Sequence, residues 1–196
     1  MIFLYIGIVI LWLVLTYKAL DSKEFDPAIA IVAGCLAALF TLLLSVISLE
    51  EAVFWEVFIE EKVKLVMLLG VIWMLPGISS QSQIKAGGLI GAGFSLVESL
   101  IHLLLVDSAI IYRVLFTNQM HIFIGIIMGY LLVKKRLSVL YIPFFLHAGF
   151  NHFIYQEMGW LSTLMLIPFG FTAYFLMDQR KTVQYDPLSV GIDNRF

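Results

Sequence analysis

The chain has 196 residues, 61% hydrophobic and 13% charged, with a net charge of −2 and a mean hydropathy of +0.98. A soluble domain is usually about a quarter charged, so this composition belongs in a lipid bilayer, and the charge gives no sign of a nucleic-acid partner. The single cysteine, Cys35, has nothing to pair with, which excludes a disulfide scaffold.

Crossing ~30 Å of hydrocarbon takes about 20 helical residues. In chain order the apolar runs that meet this need are Ile2–Tyr17, Ala28–Ser48, Ala52–Leu75, Ile84–Val106, Ala109–Val133, Leu137–Tyr155 and Trp160–Met177. The expected fold is therefore all-α: a multi-pass integral protein of the cell membrane with about seven transmembrane helices. Residues 1–178 form one transmembrane domain and residues 179–196 a polar cytoplasmic tail. The first run has neither a basic region before it nor a small-residue cleavage site after it, and reads as a retained helix. Lysine and arginine concentrate on the cytoplasmic side of membrane proteins. Lys18, Lys23, Lys85, Lys134, Lys135, Arg136, Arg180 and Lys181 all fall in alternate connections. The intervening ones carry Glu50, Glu51, Asp107 with Arg113, and Glu157. This alternation puts the N-terminus outside and the C-terminus in the cytoplasm. Trp55, Trp73 and Trp160 lie near span ends, where tryptophan anchors helices at the interface.

Polar groups interrupt four of these runs. Glu60 and Glu61 lie about 9 residues into the third, ~14 Å deep at 1.5 Å per residue. Glu98, His121 and His147 lie at comparable central depths in the fourth, fifth and sixth. An ionisable group at the bilayer centre costs ~2.5–3.5 kcal/mol on insertion scales and marks a function by default. Agreement in depth points to one shared site. His147 and Asn151, at i and i+4, share a helix face, as do Glu60 and Lys64, for which the bland reading is a structural ion pair. Glu61 is rotated ~100° from that stripe and can face another neighbour; Lys62 has no evident partner. His102 and His152 read as structural. Gly87, Gly91 and Ser95, and Gly125 and Gly129, form small-xxx-small patterns that let backbones approach closely in lipid.

Glu60-Glu61-Lys62-Val63-Lys64 fits E-E-x-x-K, and Phe94-Ser95-Leu96-Val97-Glu98 fits F-x-x-x-E. His121 to Gly129, followed by Lys134 and Arg136, fits a third motif. His147-Ala148-Gly149-Phe150-Asn151 fits H-x-x-x-D except at its last residue. In this order, one per helix over residues 56–155, the motifs resemble the PrsW intramembrane proteases, relatives of the CAAX prenyl endopeptidase and bacteriocin-processing superfamily. The acidic segment Asp21–Pro27 also looks like that family. The resemblance implies an endopeptidase that hydrolyses a membrane-anchored protein substrate, such as an anti-sigma factor, on the extracytoplasmic side, with Glu60, Glu61, Glu98, His121, His147 and Asn151 as catalytic residues. Asn151 departs from the PrsW pattern and matches the CAAX-type enzymes, so a CAAX-type or peptide-processing endopeptidase is an alternative.

Two mechanisms follow. In the preferred, metal-free one, Glu60, helped by Glu98, is the general base, and His147 and Asn151 donate hydrogen bonds to the oxyanion. In the other, Glu98, His121 and His147 bind zinc or a similar divalent metal and leave one position for water. A different class also merits weight: a proton- or ion-coupled transporter with midplane carboxylates and histidines. No internal repeat supports it.

Overall fold

A computed structural model describes residues 2–48, 53–104, 116–156 and 158–178. Glu50, Glu51, Asp107, Arg113, Glu157, Arg180, Lys181 and the tail 179–196 lie outside the described residues. Every described element is helical: α1 (Ile2–Ala19), α2 (Pro27–Ser48), α3 (Val53–Met74), α4 (Ser80–Leu104), α5 (Asn118–Val133), a 3-10 turn (Leu137–Leu140), α6 (Ile142–Tyr155) and α7 (Gly159–Asp178). Four stretches are long and apolar enough to cross a membrane: Pro27–Ser45, Ser80–Leu104, Leu137–Ile154 and Trp160–Met177. α5 is apolar but has 16 residues, about 24 Å at 1.5 Å per residue. α3 carries Glu56, Glu60, Glu61, Lys62 and Lys64 within three turns, which breaks its apolar character.

Local chemistry sets the helix ends. The Asp26 carboxylate accepts from the Ala28 N–H at 2.9 Å, with Pro27 at the first helical position of α2, a residue that lacks the N–H left unsatisfied there. The Ser79 hydroxyl accepts from the Ser82 N–H at 3.2 Å to cap α4. A second cap comes from the α1–α2 loop: the Ser79 N–H donates to Glu24 Oε2 at 2.6 Å, which holds the Glu24 carboxyl below its usual range. Ser22 Oγ also lies 2.8 Å from Ser82 Oγ, so α1 is clasped to the start of α4. α5 closes at Lys135, whose positive φ of 50° turns the chain so that the Arg136 N–H reaches the Leu131 carbonyl at 2.9 Å.

α4 is the central helix. Residues 86–95 are buried on every side, as expected for a helix without a polar face. It lies between α2 and α5, and glycines let the backbones meet. A Cβ on Gly87 would stand 3.0 Å from the carbonyl carbon of Gly125, and one on Gly125 would stand 2.8 Å from that of Gly87. Side chains could not be accommodated there. The outer helices instead expose large apolar groups, among them Trp73, Trp160, Phe171 and Phe175. A surface this apolar needs a nonaqueous neighbour.

Candidate active site

α3 brings Glu60, Glu61 and Lys64; α4 brings Phe94, Glu98 and His102; α5 brings His121; α6 brings His147 and Asn151. The packing of α4 against α5 places Glu98 beside His121. The residues then form a chain of contacts. Lys64 Nζ donates to Glu61 Oε1 at 2.6 Å and lies 2.9 Å from His121 Nδ1. An ammonium only donates, so His121 accepts at Nδ1 and carries its hydrogen on Nε2, which donates to Glu98 Oε2 at 2.7 Å. Glu61 Oε1 also accepts from His147 Nδ1 at 2.8 Å. The two imidazoles meet edge to face at 5.0 Å. Lys64 is 1% exposed, and His121 is fully buried. The Lys64 ammonium lies 4.2 Å from the Phe94 ring centroid, and that ring packs 5.1 Å from the His121 ring. Phe94 thus covers both groups.

The spacing that pairs Lys64 with Glu60 is superseded by this geometry: Lys64 bonds Glu61, one turn away at i,i+3. Glu60 is not bonded to Lys64; its Oε2 is buried without a hydrogen-bond partner, 3.6 Å from the same His147 Nδ1 that Glu61 bonds. Lys62 does have partners. Its ammonium donates to the Leu140 carbonyl and sits 5.0 Å above the Phe58 ring, tying α3 to the 3-10 turn.

A cavity of about 280 Å³ opens beside this cluster. Of the six candidate residues, Glu60, Glu98 and Asn151 line it, while Glu61, His121 and His147 stand behind. No match is found among family models, curated proteins or solved structures. The chemistry is therefore read from the residues themselves. His102, which motif spacing passes over, lines the same cavity, with Nε2 3.8 Å from Glu98 Oε1. Its place one turn beyond Glu98 is the signal that could have found it. Thr41 and Thr117 are further wall residues outside any motif. His152 lies on the exposed side of α6.

Ligand atoms of Glu60, Glu61, His121 and His147 all lie within 4.8 Å of one another. Glu98 stands outside that group, on the far ring nitrogen of His121, so the set Glu98, His121 and His147 is not the one that converges. The converging group already holds a cation, the Lys64 ammonium. It occupies the lone pair of His121 Nδ1, and the other ring nitrogen carries the hydrogen given to Glu98. A metal needs a free imidazole lone pair, and His121 has none left in this arrangement.

Proposed function

We propose that this chain is an intramembrane endopeptidase of PrsW-like character, spanning the cell membrane seven times with its N-terminus outside and C-terminus in the cytoplasm. It hydrolyses a membrane-anchored protein near the extracytoplasmic side, an anti-sigma factor being the substrate class that the resemblance implies. The observation carrying this reading is Glu60: a carboxylate at a cavity wall, its Oε2 without a hydrogen-bond partner, backed by a fixed array of charges. Such a group is equipped to take a proton from water.

In this mechanism Glu60 removes a proton from the water that attacks the peptide carbonyl, then returns it to the leaving amine. The Asn151 amide donates to the oxygen on which charge develops, an effect worth about 3–4 kcal/mol per donor. Glu98 faces the same cavity, and its bond to His121 fixes its orientation. Glu61 and Lys64 act as positioning residues. Glu61 holds His147 beside Glu60, and Lys64 offsets the carboxylate charge without a metal. The amide at Asn151 also favours a second reading, a CAAX-type endopeptidase, which differs in substrate but not in the role of Glu60.

The test is cleavage of a tagged single-span substrate by the purified protein, with and without chelator. Glu60→Gln keeps the side-chain shape and should lower turnover at least ~10²-fold in a protein that stays folded. Near-normal cleavage by the folded variant would rule Glu60 out as the base, and loss of activity on chelation would rule out the metal-free mechanism.

A further inference from the structure

We infer that the cavity selects a cationic residue, lysine or arginine, beside the scissile bond, and that Glu56 sets this preference. The inference rests on the endopeptidase reading. Three carboxylates line the cavity, Glu56, Glu60 and Glu98, and no lysine or arginine is among its described wall residues. The nearby cation, Lys64, is spent on Glu61 and His121. Glu98 has His102 and His121 beside it and Glu60 has His147, but among the described residues no cation pairs with Glu56, and a low-dielectric wall strengthens its pull on an entering cation.

Glu60 is needed for proton transfer, and Glu98 is bonded to His121. Glu56 has neither duty. It lies one turn before Glu60 on α3, exposed and on the cavity wall. A carboxylate at the rim that faces a ligand without touching the reacting atoms is a specificity residue.

A second, independent observation points to peptide as the ligand. Thr41 on α2 and Thr117 at the start of α5 both line the cavity and are at least nine-tenths buried, and their hydroxyl oxygens lack a hydrogen-bond partner. Buried unpaired hydroxyls are costly, and an extended chain offers alternating N–H and C=O groups to satisfy them. A cavity of about 280 Å³ lies at the small end for ligand sites. It suits a short stretch of extended chain with one long side chain.

The experiment uses the purified full chain in detergent micelles and peptides that differ at one position. That position carries lysine, its neutral isostere norleucine, or glutamate, first on one side of the scissile bond and then on the other. The expected result is a kcat/KM for lysine over norleucine of about fivefold, the upper range for a partly solvated ion pair, shrinking as salt is raised. Glutamate should be worst. Glu56→Gln should reduce the lysine preference and leave cleavage of the norleucine peptide unchanged. Equal use of lysine and norleucine by the parent protein would overturn the inference, as would a Glu56→Gln loss that is the same for both peptides. Fluorescence anisotropy of the labelled peptides on the parent protein gives a readout apart from catalysis. Tighter binding of the lysine peptide without any cleavage would overturn the endopeptidase reading and keep the cationic subsite. Equal binding would overturn the subsite.

Discussion

Gly91→Ala offers a demanding test of how the fold holds the cluster. Gly91 lies on α4 two turns before Glu98, and a Cβ there would stand 2.7 Å from the carbonyl carbon of His121 and 3.1 Å from the Ile122 Cα. These are backbone atoms, which cannot rotate aside. Ordinary contact begins at 3.4 Å, so α5 must move from α4 by at least about 0.7 Å, the difference between 3.4 and 2.7. Overpacking of this kind costs about 1–3 kcal/mol. The displaced residue is His121 itself, whose Nε2 bonds Glu98 across the same seam at 2.7 Å. An added 0.7 Å takes that separation to about 3.4 Å, beyond the usual range of 2.7–3.2 Å for such bonds. Misplacement of about 1 Å at a reacting centre lowers rate by about 10²-fold. The assay is turnover of the tagged substrate alongside thermal melting in detergent, with Gly70→Ala as control. A Cβ on Gly70 meets nothing within 4 Å, so that variant should melt and turn over like the parent. A Gly91→Ala protein with unchanged melting and turnover would refute the close packing and its coupling to the site.

Lys64→Met removes the cation bonded to Glu61 and His121; breaking a buried pair costs about 3–5 kcal/mol, so the melting temperature should fall. The emptied position should then accept cobalt(II), giving visible absorption bands that the parent lacks; stoichiometric cobalt uptake by the parent would contradict the assignment of Lys64 as the resident cation. Reporters fused after Arg136 and Arg180 should label as cytoplasmic, and one near Glu157 as external. Reversed labelling would place the cavity's access on the other side and end the extracytoplasmic-cleavage reading.

The helical class and the apolar character of the chain were legible in its composition, because a span declares itself by length alone. The close seam between α4 and α5 was legible too, since glycines four residues apart have few other uses in lipid. Partner choice inside the cluster was not. Helical spacing allows Lys64 to reach back to either Glu60 or Glu61, and only the position of α5 and α6, which bring His121 and His147 to one side of α3, decides for Glu61. His102 could have been found from its place one turn beyond Glu98, but the two threonines were missed for a related reason. A cavity wall is assembled from whatever residues several helices present at one level, and no single segment carries its pattern. The role of Phe94 as a cover for Lys64 and His121 likewise depends on packing, although its motif position marked it.

The glycine seam also divides the cluster mechanically. At Gly87, Gly91 and Gly125, α4 and α5 touch backbone to backbone, and no side chain at those points can rotate to let them slide. Glu98 and His121, one on each, therefore travel together. Glu60, Glu61 and Lys64 ride on α3, and His147 and Asn151 on α6, and the contacts of these residues with the pair are between side chains. A movement of α3 away from α5 would stretch the joint between Lys64 and His121 while leaving that between His121 and Glu98 intact. One half of the cluster is thus held by a backbone seam, and the other half by hydrogen bonds that a shift of α3 or α6 would lengthen.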